Sequence, residues 1–275
     1  MSLMLKLSTA LIATTLLASA EFNLENYVKK DLIKNPDIKV NGVELLEKRD
    51  INASKDWVAY LFLMDLNVKG KDGKYPEMIF VNDKAGLVTM NLYDLKSHKQ
   101  IGANFRPDVT EDYYNDAHLI AGKKDAKHKI VVFSDPKCPF CQQYVPNIYK
   151  TVKEHPDTFA LYYYHMPLTR IHPVSKILTR AMEVLQKQGK FDEAMKMYNL
   201  NIPFSERDPK KVLAAIKKQY NIDITQAQID DPEIKKAIKN DTEKATRVML
   251  KGTPTVYLDG KYDPDITNYK KFIKK

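Results

Sequence analysis

The sequence predicts an α/β chain in two parts, and three observations carry that prediction. The first is IVVFSDPKCPFCQQY, residues 130–144, where a continuous apolar run meets both cysteines and then a helix-like composition. The second is a long stretch, 173–250, whose apolar residues recur at helical spacing before a strand-like GTPTVYLDG. The third is an N-terminal third of apolar runs separated by turns rich in Gly, Lys and Asp. The cysteine-bearing part is expected to have a sheet covered on both faces by helices, and the leading meander to be a smaller α+β module.

The first residues set the compartment. MSLMLK carries one lysine, LSTALIATTLL is short and apolar, and Ala18-Ser19-Ala20 is a small-residue cleavage site. A membrane-spanning helix needs about 20 apolar residues. Residues 1–20 are therefore expected to be a signal peptide that exports the chain.

Residues 21–107 make up the first module. NLENYVKKDLIKNP has the pattern of an amphipathic helix ended by Pro36, and strands are expected over 43–50, 56–68, 76–83 and 87–95. The module holds no catalytic cluster. Its long apolar strands leave an edge for a second copy, so dimerisation is its expected role. Over 108–123 a linker helix is expected. Asp108 and Glu111 form a capping pair, Val109, Tyr113, Ala117 and Ile120 lie on one stripe, and Gly122 is the stop.

Residues 124–275 form the second domain. IVVFS is a strand buried on both faces, and CQQYVPNIYKTVKEH a helix kinked at Pro146. In the strand TFALYYYHM the tyrosine run packs on two faces. Helices fill about 173–250, with Val174, Ile177, Leu178, Ala181, Met182 and Leu185 on one face, and Ile234, Ile238, Ala245, Val248 and Met249 on another. A terminal helix is expected over ITNYKKFIKK.

The net charge of +9 comes from lysines dispersed along the chain, which makes a solvated basic surface and not a nucleic-acid groove. A mean hydropathy of −0.45 excludes a multi-pass membrane protein.

The two thiols, Cys138 and Cys141, invite three readings. A bridge across two residues removes little loop entropy, so a structural staple explains little. A zinc site needs four ligands, and none of His98, His118, His128, His155, His165 and His172 forms a suitably spaced pair; no metal is expected. Strand, Cys-x-x-Cys, helix is the context of a redox site. The thiolate is the reactive form, and Cys138 precedes a helix whose unpaired N–H groups and dipole favour negative charge. Cys141, inside the first turn, is expected to be more buried and to resolve a mixed disulfide. Asp135 is expected to cap or orient the strand end, and His165 and His172 to lie at the surface.

Strand–CxxC–helix, Pro146, and Gly252-Thr253-Pro254-Thr255 before a late strand resemble the thioredoxin fold. LIAGKKDAKHKIVVFSDPKCPFC is similar to the periplasmic disulfide isomerases of the DsbC/DsbG type. The resemblance implies a thioredoxin-like domain with a helical insertion, preceded by a small α+β, cystatin-like dimerisation domain and a linker helix. It implies Cys138 and Cys141 as the catalytic, redox-active disulfide pair. Pro139 and Phe140 would tune it, while Thr253 and a cis Pro254 would shape the substrate groove. Val132 stands where thioredoxin has a buried acid. No cofactor is implied. The expected function is a homodimeric disulfide isomerase/reductase acting on misfolded or oxidised exported proteins and reduced by a membrane thiol reductase (DsbD-like). The long interval from Cys138 to Pro254 resembles the insertion of DsbA-type enzymes, whose function would be oxidation with a membrane oxidase (DsbB-like) as partner. A holdase chaperone is the third expectation.

Overall fold

The computed structural model describes residues 22–52 and 54–273. The expected signal peptide, 1–20, lies outside the described residues. No helix among them is long and apolar enough to cross a membrane.

The first module opens with α1 (Leu24–Tyr27), capped by the Asn23 side chain and continued by a π-helical turn, Val28–Leu32. β1 (Ile38–Ile51), β2 (Ser54–Val68), β3 (Lys71–Asn82) and β4 (Leu87–Thr89) form an antiparallel sheet in that order. Strand alternation divides β2 between two cores. Tyr60, Phe62, Met64 and Leu66 meet Val28 beneath the helical segment, whereas Ala59 and Leu61 face the opposite way with Phe80 and Met249 of the second domain. β1 is left as a long edge strand. A small ribbon, β5 (Tyr93–Asp94) with β6 (Lys99–Gln100), completes the module.

The linker helix expected over 108–123 is absent. Glu111–Tyr113 make one 3₁₀ turn, and β7 (Leu119–Gly122) is an edge strand. The spacing that suggested a helical stripe arises from other contacts. Val109 N–H donates to Gly260 O, the Tyr113 ring packs near Phe133 and Tyr164, and Ile120 enters the main core. A sheet edge open to pairing outweighed local helix preference. The two parts also touch directly: Arg247 holds Glu44 through both guanidinium arms at 2.6 and 3.1 Å.

The second sheet adds β8 (His128–Ser134), β9 (Phe159–His165), β10 (Thr255–Leu258) and β11 (Lys261–Tyr262), in the order β11-β10-β8-β9-β7. Central β8 pairs parallel with β9 and antiparallel with β10. Ile130 and Val132 face one core with Tyr163; Val131 and Phe133 face the other with Tyr162 and Tyr164. α2 (Pro139–Glu154) joins β8 to β9 and carries Pro146 inside it. The insertion between β9 and β10 consists of α3 (Ser175–Lys187), α4 (Phe191–Lys196), α5 (Pro209–Tyr220), α6 (Gln226–Asp230) and α7 (Pro232–Arg247). Buried Asp241 of α7 fastens it to the sheet by accepting from His165 N–H at 2.8 Å and pairing with His118. The expected terminal helix is a 3₁₀ turn, Asn268–Phe272.

Gly122 has φ +79, and a Cβ there would lie 1.9 Å from the Phe159 carbonyl oxygen. Gly122→Ala is expected to cost about 3 kcal/mol or more in chemical denaturation. Gly86→Ala, with φ +65 and open space around it, should cost about 1–2 kcal/mol. Equal costs would contradict the placement of β7 against β9.

Candidate redox site

Cys138 is the N-cap residue of α2 and Pro139 the first helical residue, where its missing N–H leaves no bond unmade. The helix turn brings Cys141 beneath Cys138. Cys138 is 6% exposed and Cys141 fully buried, and both are free thiols. Phe140 projects outward, 63% exposed. The loop before β10 closes the site from the other side: Thr253-Pro254 is a cis peptide, and the Cys138 thiol donates to Thr253 O at 3.2 Å. Thus Cys138, Cys141 and Thr253 meet at one point, while Pro139 follows Cys138 on the exposed side and Pro254 follows Thr253 in the chain.

The electrostatics of the two thiols are opposed. The Cys141 thiol, the neighbouring Thr253 side chain and the N–H groups of Cys141 and Phe140 favour the Cys138 thiolate, outweigh burial and lower its pKa to about 5. The Thr253 carbonyl works the other way by accepting from the thiol. Burial raises Cys141 far above the ordinary thiol range, its bond to Cys138 adds to this, and the Ser134 hydroxyl only partly offsets it.

Asp135, immediately after β8, is completely buried. Its carboxylate accepts from Lys137 N–H at 2.7 Å, Leu168 N–H at 2.7 Å and Ser175 Oγ at 2.6 Å, and meets His172 Nδ1 at 3.1 Å. The expected orienting role at the strand end understated it, because Asp135 also anchors the loop after β9 and the start of α3. His172 is therefore 8% exposed and not a surface histidine. Nor is His165, 1% exposed, whose Nε2 meets Gln186 Oε1 at 2.9 Å. Sequence reasoning missed Ser134, Tyr163 and Tyr198, which join in a buried hydroxyl row beside Cys141. Tyr198 comes from a 3₁₀ turn after α4, with no motif to mark it. Among the described residues no three His, Cys, Asp or Glu side chains cluster as metal ligands would.

The opposed thiols set a pH dependence. An unfolded thiol titrates near about 8.5. The folded Cys138 stays ionised down to about 5, so its contribution to the stability of the reduced protein is full above about pH 8.5 and is lost as pH falls through about 5. Cys141 acts oppositely: above about pH 8.5 the unfolded chain ionises it and the fold does not. The stability of the reduced protein relative to the oxidised protein should peak near about pH 8 and fall on both sides. Alkylation of Cys138 should be half-maximal near about pH 5 and leave Cys141 unmodified. Equal titration of the two thiols near about 8.5 would contradict the assignment.

The family described as Thioredoxin matches residues 114–275. A probable disulfide bond formation protein D of Bacillus cereus is 28% identical over 167 residues, covering 56% of this chain and 76% of that protein. Its counterpart in Bacillus anthracis is 29% identical over the same shares. Among solved structures, a thioredoxin-like oxidoreductase from Silicibacter pomeroyi aligns with a TM-score of 0.47 at 21% identity, over 57% of this chain and 88% of that one. Strand, cysteine pair, helix and cis-proline loop lie within the matched span, and the chain belongs to the thioredoxin family.

Proposed function

We propose that the chain is an exported thiol:disulfide oxidoreductase working in the direction of disulfide formation. The observation that carries the direction is the stabilised thiolate of Cys138. A reduced form held by several donors makes the corresponding disulfide a strong oxidant, since oxidation gives that stabilisation up. The similarity to relatives named for disulfide bond formation supports the same direction. In this reading a client thiolate attacks Cys138 of the Cys138–Cys141 disulfide, Cys141 leaves, and a second client thiol releases the product. Thr253 and Pro254 border the groove in which the client lies, and Pro139 and Phe140 tune the pair. Clients are exported proteins with reduced cysteines, and a quinone-linked membrane oxidase (DsbB-like) restores the disulfide.

The disulfide isomerase/reductase remains a second reading, favoured by one feature. β1, an edge strand of 14 residues, gives a sheet edge along which residues 21–107 could join two chains. Two Cys138 sites would then share one misfolded client.

Oxidised protein added in equal amount to reduced, unfolded ribonuclease A should transfer its disulfide within seconds. Cys138→Ala should be inert, and Cys141→Ala mixed with scrambled, disulfide-containing ribonuclease should accumulate mixed disulfides, because its Cys138 thiolate opens a client disulfide and no Cys141 thiol resolves the adduct. Slow transfer, with fast reactivation of scrambled ribonuclease by the reduced protein and a dimer in light scattering, would overturn the oxidase in favour of the isomerase.

A further inference from the structure

Exchange needs the Cys141 thiolate twice. It is the leaving group when a client opens the Cys138–Cys141 bond and the attacker when a mixed disulfide resolves. Yet Cys141 is fully buried, and neither of the two positions where a base could stand near it, Val132 and Asp135, supplies a free one. Val132 is an apolar residue at 0% exposure. Asp135 already accepts from Lys137, Leu168, Ser175 and His172, so its lone pairs are committed.

What the interior does supply is a row of hydroxyls. Ser134 Oγ lies 2.6 Å from Tyr198 Oη, and Tyr198 Oη lies 2.8 Å from Tyr163 Oη. Ser134 and Tyr198 are 0% exposed and Tyr163 is 1% exposed. The Ser134 hydroxyl acts on the neighbouring Cys141 sulfur in the sense that favours its thiolate, and both tyrosines lie in the same buried cluster as Cys141. Burial keeps both phenols protonated, so the row can reorient hydrogen bonds without taking up net charge.

We propose that Ser134, Tyr198 and Tyr163 form a reversible hydroxyl chain that stabilises the Cys141 thiolate during disulfide exchange. Ser134 touches the sulfur, and the two tyrosines are positioning residues behind it. With Cys141 ionised, Tyr163 donates to Tyr198, Tyr198 to Ser134 and Ser134 to the sulfur, each bond polarising the next. In the mixed disulfide, where the Cys138 sulfur is no longer a thiolate, a protonated Cys141 donates to Ser134 and the hydroxyls turn the other way. In the resolving step the Cys138–Cys141 bond forms and the bond from Cys138 to the client sulfur breaks. The client sulfur leaves with the electron pair and takes up the proton that Cys141 released, so Cys141 is oxidised and the client sulfur reduced. The proposal rests on the thiol:disulfide exchange reading above.

The test mixes the reduced full chain with oxidised glutathione, quenches in acid and follows the glutathione adduct by mass spectrometry. Capture by Cys138 should stay within about twofold of wild type in Ser134→Ala, Tyr198→Phe and Tyr163→Phe. Resolution by Cys141 should slow by about tenfold or more in Ser134→Ala, by about tenfold in Tyr198→Phe and by less in Tyr163→Phe. The pH profile of resolution should move to higher pH with its slope unchanged. The titratable groups facing Cys141 are Cys138 and Asp135 around the start of α2, Tyr163 on β9 and Tyr198 after α4. Cys138 is already consumed in the adduct, so the profile of this step reports Cys141. The two phenylalanine variants keep every carbon atom and decide the matter even if Ser134→Ala fails to fold. Resolution within about twofold of wild type in both, or equal slowing of capture and resolution, would overturn the proposal. A wild-type protein that leaves oxidised glutathione untouched would instead overturn the exchange reading, and the proposal with it.

Discussion

A negative charge on Cys138 has to be held at the junction of β8 and α2, one helical turn above a thiol that must stay protonated at rest. Donors converge on Cys138 from the helix N-terminus, from Cys141 and from Thr253. At Cys141 burial and the bond to Cys138 outweigh what the Ser134 hydroxyl, the Asp135 N–H and Thr253 offer a thiolate. Each surrounding element has a part in keeping this asymmetry. β8 ends where the N–H groups of α2 begin, the Thr253-Pro254 loop covers the sulfur, and the insertion delivers Tyr198 and seals the interior against water.

Asp135 keeps that junction in register. Its four partners come from the loop ahead of α2, the loop after β9 and the start of α3, so one carboxylate joins the active segment to the helical insertion. A buried carboxyl group of this kind is costly unless its oxygens are hydrogen-bonded, and here four partners meet them. The contact between the two parts of the molecule is of another kind. Arg247 and Glu44 are each more than two-fifths exposed, so that pair adds little to stability. The apolar contact of Met249 with Ala59, Leu61 and Phe80 is the larger attachment.

The thiol site was legible in the sequence because its chemistry is local. IVVFS, CPFC and the helix that follows are contiguous, and Thr253-Pro254 stands in a short motif before β10. The apolar run announced β8, and TFALYYYHM, with its run of tyrosines, announced a strand packed on two faces, β9. What could not be read was whatever depends on distant partners. Residues 108–123 carry a helical spacing, but β9 offered an open edge and β7 took it. His165 and His172 look like surface residues until Gln186 and Asp135 are placed beside them. Tyr198 lies 64 positions from Ser134 with nothing in its neighbourhood to mark it.

The central claim is that the donors around Cys138 make its disulfide with Cys141 an oxidising one. Equilibration of the full chain with reduced and oxidised glutathione measures this directly as a reduction potential. The account predicts a value between about −120 and −180 mV, on the oxidising side of the range known for such pairs. A value near about −270 mV, as in a reducing thioredoxin, would contradict it.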